Sequence, residues 1–123
     1  MNRKPLITDV PTINKLNELL ENNPGLVIVK FGAEWCGPCK RVEKLVHSCI
    51  DYMPETVQSV IVDIDNNFEL YAYFKNKKRL NGIPAILCWN KDNVSLIPDD
   101  SVVSSDEIQI KLFFQRCYDK VKP

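Results

Sequence analysis

The stretch AEWCGPCK at residues 33–40 decides the fold, because it places two thiols, Cys36 and Cys39, three positions apart. The run before it, LVIVKF at residues 26–31, is apolar and largely β-branched apart from Lys30. Such a run predicts a buried parallel strand. A dithiol that directly follows a buried strand has the arrangement of a reversible dithiol/disulfide switch.

The residues after Pro38 predict an amphipathic helix that ends before Pro54, since apolar side chains recur there with helical spacing. Cys36 then stands at the helix N-terminus, where unpaired N–H groups and the helix dipole favour a thiolate. Pro38 suits a first turn, where it leaves no N–H unpaired. Cys39 lies one turn in and is shielded, so we expect Cys36 to attack target disulfides and Cys39 to resolve the product.

Composition limits the class of protein. With 123 residues and 45% hydrophobic residues, the chain suits one domain over residues 1–123. Basic and acidic residues both number 16, so no net field draws it to nucleic acid or a membrane. The basic start MNRKP is not followed by an apolar core, and no run is long enough to span a bilayer. We therefore expect a soluble cytoplasmic protein.

The rest of the chain alternates between helical and extended patterns, in the order helix, strand, helix, strand, helix, strand, strand, helix. This order predicts a mixed sheet with helices on both faces. The predicted features are a first helix capped by Thr12, a strand at 57–64, a helix capped by Asn66, a hairpin of strands 85–89 and 94–97, and a last helix behind a capping box at 104–107.

Three motifs together indicate a family: FGAEWCGPCK at residues 31–40, VDID at 62–65 and NGIP at 81–84. In order and spacing the chain resembles the thioredoxin family over about residues 6–120. The resemblance implies an α/β fold, a thioredoxin-like three-layer sandwich whose central mixed sheet has four to five strands. It also implies a protein-disulfide oxidoreductase that acts as a reductant and whose only redox group is the Cys36–Cys39 disulfide.

The same resemblance implies the remaining site residues and the partners. Pro84 should follow a cis peptide bond beside the thiols and hold the substrate in place. The implied partners are disulfide-containing proteins and a thioredoxin reductase or an equivalent donor, and we expect a monomer without a metal. The implied substrate-docking residues are Trp35, Gly37, Pro38, Gly82 and Ile83.

Lys30 departs from the family pattern, since members commonly carry a buried aspartate there that relays a proton to the resolving cysteine. Three alternatives follow for Lys30. It can form a swapped ion pair with Asp63, stay partly neutral and act as base for Cys39, or extend to water without a redox role. A cation here would also make the disulfide more oxidising, which favours a disulfide donor or isomerase as an alternative function. Gly32 departs too, because an aromatic residue is often found there.

Other interpretations of the same residues are weaker. Structural zinc needs about four ligands, usually in a second close pair, and the sequence offers none. Cys49, Cys88 and Cys117 fall in regular elements and suit buried positions, and the alternative is that one of them is a site of regulatory oxidation, which needs exposure and thiolate character. The basic run at 75–79 fits a solvated helix end that could steer acidic partners. The non-enzymatic alternative is a binding module that uses the surface around Trp35 and Pro84 as a scaffold within a larger assembly.

Overall fold

The computed structural model describes residues 6–10 and 12–123, so the basic N-terminal residues 1–5 lie outside the described part. A four-stranded sheet forms its centre, in the order β2-β1-β3-β4. Strand β1 pairs parallel with β2 and antiparallel with β3, which in turn pairs antiparallel with β4. The elements are α1 (Ile13–Glu21), β1 (Leu26–Gly32), α2 (Gly37–Tyr52), β2 (Val57–Asp63), α3 (Phe68–Asn76), β3 (Ala85–Asn90), β4 (Asp100–Val103) and α4 (Glu107–Val121).

Helices cover both faces of the sheet, which confirms the predicted mixed α/β sandwich. Alternate residues of β1 point to opposite faces, so Val29 and Phe31 pack against α1 and α3, whereas Leu26 and Ile28 pack against α2 and α4. Every residue of β1 is buried, which explains its continuous apolar run. Lys30 is the one charged member of that strand, and it lies on the α2 face.

The helix starts were predicted with mixed success. Thr12 caps α1 by accepting the N–H of Lys15, as predicted. Residue Asn67, not Asn66, precedes α3, and its side chain does not cap the helix. The capping box predicted at 104–107 is wrong. The N-cap of α4 is Asp106, whose side chain accepts the N–H of Ile108.

The second strand of the predicted hairpin is also wrong. Residues 94–97 form a loop, and the strand that follows β3 and pairs with it is Asp100–Val103. Asn93 explains the difference, because its side chain binds the N–H of Ser95 and the carbonyl of Ile97. These local bonds replace the ladder bonds of a strand.

Asn23 is a buried amide that joins the end of α1 to the end of β3. Its Nδ2 donates to the carbonyls of Trp89 and Asn90 at 3.1 Å, and its Oδ1 accepts the N–H of Gly25 at 2.9 Å. The side chain is 6% exposed, so water cannot replace these partners.

We predict that Asn23→Ala lowers the free energy of unfolding by about 2 kcal/mol, because buried backbone groups lose their partners. Urea denaturation measures this loss. The neighbouring variant Asn22→Ala is the control, since Asn22 is exposed, and its effect should stay within about 0.5 kcal/mol. Equal losses in the two variants would contradict the role given to Asn23.

Candidate active site

Cys36 and Cys39 form a disulfide at the N-terminus of α2, with their Cα atoms 5.2 Å apart. Cys36 is the N-cap residue, and its Sγ accepts the backbone N–H of Cys39 at 3.2 Å. The sulfur therefore occupies the position where a side-chain oxygen normally caps a helix. After reduction, the same N–H and the helix dipole would favour a thiolate at Cys36. The predicted placement of the pair is confirmed by this geometry.

Two exposed contacts hold the segment before the disulfide in place. The Trp35 indole is 66% exposed, and its Nε1 donates to Asp65 Oδ2 at 2.9 Å. Glu34 and Lys40 form an ion pair at 2.8 Å, and this hydrogen bond lowers the pKa of Glu34 and raises the pKa of Lys40. Asp65 belongs to the VDID motif, but sequence reasoning gave it no role.

Pro84 lies at the same end of the sheet as the disulfide. Phe31 of β1 pairs with Ala85 of β3, which puts Pro84 beside the end of β1. The Ile83–Pro84 peptide bond is cis, and Ile83 packs against the core cluster that includes Cys36.

The five residues predicted to dock substrate surround this end of the sheet with different exposures. Trp35, Gly37 and Pro38 are exposed, whereas Gly82 and Ile83 are half-buried. A Cβ atom added at Gly37 or Gly82 would meet nothing within 4 Å, so both glycines border open space.

A small cavity of about 70 Å³ lies behind the disulfide, between β1, β2 and α2. It brings together Lys30, Cys39 and Asp63, which the sequence had only placed on neighbouring elements. Gly32 opens this space, because a carbon built there would lie 3.7 Å from both Cys39 Sγ and Lys30 Cε. The volume suffices for about two water molecules.

Lys30 is 4% exposed, so its side chain does not extend into open water. Burial lowers the pKa of its amine, the nearby Glu43 opposes this effect, and Lys40 adds to it. The swapped ion pair with Asp63 is not formed among the residues that the structure describes. Instead, Asp63 Oδ1 accepts the N–H of Asp65 at 2.9 Å.

Glu43 is the cavity residue that sequence reasoning missed. It lies one helical turn after Cys39 on α2, so the two side chains share a face. Glu43 also approaches Lys40 at 3.6 Å, which links the buried amine to the surface charges of Glu34 and Lys40. The spacing from Cys39 was the available indication, but only the strand packing shows that Lys30 faces it.

The sequence profile described as thioredoxin matches residues 8–113 of this chain. The chain belongs to the thioredoxin family. A putative thioredoxin-4 of Dictyostelium discoideum is 31% identical over 105 residues, covering 85% of this chain and 90% of that protein.

Solved thioredoxins share the fold. The structure of Trichomonas vaginalis thioredoxin superposes with a TM-score of 0.71 at 27% identity, covering 91% of this chain and 96% of that one. For Fasciola hepatica thioredoxin the TM-score is 0.72 at 24% identity, with coverages of 89% and 97%.

Membership of the thioredoxin family, together with the Cys36–Cys39 pair, supports thiol-disulfide oxidoreductase activity in general. No helix within residues 6–10 and 12–123 is long and apolar enough to cross a membrane. In the same described part, no group of three or more histidine, cysteine or acidic side chains could hold a metal ion.

We predict that the pH dependence of stability reports the burial of Lys30. The folded-state pKa of Lys30 is below the ordinary value of 10.5, so the cost of burying the charge is largest at neutral pH. That cost disappears as the pH rises from the folded-state pKa towards 10.5, at about 1.4 kcal/mol for each pH unit between these two values. The free energy of unfolding of the wild type should therefore rise relative to that of Lys30→Met over this interval.

Urea denaturation of the oxidised protein between pH 7 and pH 10 measures this difference. Lys44→Met is the control, because Lys44 is exposed on α2 and should show no such trend. A gap between wild type and Lys30→Met that stays constant with pH would contradict the lowered pKa of Lys30.

Proposed function

We propose that this protein reduces disulfide bonds in other proteins, and that a thioredoxin reductase or an equivalent donor restores its dithiol. The observation that carries the proposal is the position of Cys36, whose Sγ accepts a backbone N–H as the N-cap of α2. That position favours the thiolate needed for attack. The proposal adds direction to the general activity of the family.

The reaction consists of two exchanges between thiolates and disulfides. The Cys36 thiolate attacks one sulfur of the target disulfide, and the other target sulfur leaves as a thiolate. The Cys39 thiolate then attacks Cys36 Sγ, which forms the Cys36–Cys39 disulfide and releases the second target thiolate. Two electrons pass to the target, which takes up two protons.

Target recognition is assigned to the surface around the disulfide. Trp35 offers an exposed aromatic face whose orientation is fixed by Asp65. Gly37 and Gly82 leave room for the backbone of a target segment. Pro84 has no N–H to donate, so the neighbouring backbone at Ile83 is the group available to pair with an extended target. These residues together suit a protein substrate rather than a small thiol alone.

Lys30 is assigned the proton transfer at Cys39. The amine and the Cys39 sulfur border one cavity. Burial lowers the pKa of the amine and so raises its neutral fraction relative to a lysine in water. A neutral amine can accept the Cys39 proton, directly or through water in the cavity, before the second exchange. Glu43 would then stabilise the ammonium that results, and Asp63 borders the same cavity.

A second function, disulfide donation or isomerisation, is favoured by the same lysine. A positive charge beside the cavity stabilises the thiolates of the reduced state and so makes the disulfide more oxidising. The three free thiols Cys49, Cys88 and Cys117 of the described residues favour a reducing compartment. We therefore propose reduction in the cytoplasm as the main role.

We predict that the wild type catalyses insulin-disulfide reduction when supplied with NADPH and a thioredoxin reductase, or with dithiothreitol. Cys36→Ser should lose this activity, because the attacking thiolate is removed and the remaining Cys39 is buried. Cys39→Ser should accumulate the mixed disulfide with insulin, because the second exchange cannot occur. Turbidity and non-reducing electrophoresis measure the two outcomes.

Cys49→Ser is the matched control, since Cys49 lies further along the same helix and should leave turnover unchanged. If neither the enzymatic nor the chemical reductant supports turnover, the reductase proposal fails. Target binding that survives replacement of both Cys36 and Cys39 by serine would instead favour a binding module.

We predict that Lys30→Met makes the Cys36–Cys39 pair more reducing, because removal of the cation destabilises thiolates. Equilibration with glutathione buffers measures the potential. A wild-type value near roughly −270 mV supports a reductant, and one near roughly −180 mV supports a donor. Lys44→Met on the exposed side of α2 should leave the potential unchanged. A Lys30→Met potential equal to that of the wild type would remove Lys30 from redox tuning.

A further inference from the structure

A second pair of thiols lies away from the active site, between the sheet and α4. Cys88 of β3 and Cys117 of α4 are both fully buried. The strand register places Cys88 opposite Ile28, towards the other end of β1 from Gly32. Both side chains belong to one buried core cluster. Lys120, which lies one helical turn after Cys117 on α4, reaches the Cys88 sulfur, so the end of α4 that carries Cys117 faces Cys88.

Lys120 connects this pair to the surface. Its Nζ donates to Cys88 Sγ at 3.9 Å, while the residue itself is exposed. Lys120 also borders an open cleft of about 650 Å³ with Asn90 and Asp99. Lys120 therefore contacts both the buried Cys88 sulfur and the open cleft, and its side chain carries the charge that favours a thiolate.

The two thiols differ in chemical character. The hydrogen bond from Cys117 and the charge of Lys120 lower the pKa of Cys88, against the effects of burial, Asp100 and Asp99. The hydrogen bond to Cys88 and burial raise the pKa of Cys117. Arg116 holds Asp100 in an ion pair at 2.7 Å, which reduces the repulsion between that carboxylate and Cys88. These effects favour the thiolate at Cys88 and the protonated thiol at Cys117.

We propose that Cys88 and Cys117 are a second redox-active dithiol, which hydrogen peroxide or an organic hydroperoxide of similar size oxidises to a disulfide. The Cys88 thiolate attacks the peroxide oxygen, the O–O bond breaks, and the sulfenic acid forms as hydroxide leaves and takes up a proton to become water. The Cys117 sulfur then displaces hydroxide from Cys88, and its own proton completes a second water. One hydrogen peroxide is reduced to two waters, an organic hydroperoxide would give an alcohol and one water instead, and two thiols become one disulfide. This site does not depend on the proposed reductase activity.

The test begins with the oxidised wild type, in which Cys49, Cys88 and Cys117 are the free thiols. Stoichiometric hydrogen peroxide should remove two of these three thiols, measured by thiol titration in denaturant, while the protein stays monomeric. Trypsin should release the peptides 80–91 and 117–120 as one cross-linked species that dithiothreitol separates. Its mass should be that of the two peptides less two hydrogens. The Cys36→Ser/Cys39→Ser variant should give the same species, which excludes exchange with the active-site disulfide.

Two matched variants test the role assigned to the lysine. Lys120→Met should slow the peroxide reaction by about tenfold, because without the cation a smaller fraction of Cys88 is present as the thiolate. Lys122→Met should leave the rate unchanged, because Lys122 is exposed and contacts Asp119 instead. Cys49→Ser should also form the cross-linked species at the wild-type rate.

Four results would overturn the proposal. They are retention of all three thiols under peroxide that oxidises glutathione, a cross-link through Cys49, a covalent dimer, and oxidation of Cys88 to a sulfinic acid without loss of Cys117. Cys117→Ser provides an independent measurement, since Cys88 should then stop at a sulfenic acid that dimedone traps. Absence of the dimedone adduct in folded Cys117→Ser would equally count against the proposal. If Cys117→Ser does not fold, the cross-linked peptides of the wild type decide the test.

Discussion

Strand β1 is the constraint on which the rest of the structure depends. It is hydrogen-bonded on both edges, to β2 and to β3, and every one of its residues is buried. Its end fixes the start of α2, where Cys36 caps the helix, and its pairing with β3 brings Pro84 to the same end. The catalytic geometry therefore follows from one ladder register. A shift of that register by one residue would reverse which side chains face each layer.

Lys30 imposes the main electrostatic cost on this strand. A buried cation is unfavourable unless it is paired or neutral, and the structure offers Glu43 across the cavity rather than Asp63 along the sheet. The arrangement places an ionisable amine beside the redox pair, and its nearest counter-charge, Glu43, is partly exposed. In the proposed mechanism, proton transfer and redox potential depend on the same side chain, so the two properties cannot be tuned separately at this position.

The features predicted correctly from sequence are those set by local patterns. The strand, the redox helix and the position of Cys36 at the helix start depend on apolar periodicity and on Pro38, and these agree with the tertiary packing. Strand β4 was missed because Asp100 and Ser101 have low strand preference, whereas Val94 and Ile97 suit a strand yet are exposed.

Contacts between distant elements could not be predicted from sequence. The Lys30–Glu43 proximity joins a strand to a helix, and the Cys88–Cys117 contact spans two elements that sequence patterns cannot orient. Asn67 is another example, since its amide binds Val10 and Asp63 rather than its own helix. Each of these contacts depends on how two helices, strands or loops pack against each other, which only the folded structure shows.

Hydrogen bonds close the loop between β3 and β4 at its base, and this determines which substitutions the loop can tolerate. Asp99 holds its base, because its N–H donates to Cys88 O and its Oδ2 accepts from the N–H of Asn90. Asn93 binds the same carboxylate from inside the loop. The register of β4 is thus set at the base of the loop. Exposed Val94 can be exchanged without moving β4, whereas Leu96 packs on the core and Ser95 O accepts the indole N–H of Trp89, so the loop tolerates changes at some positions and not at others.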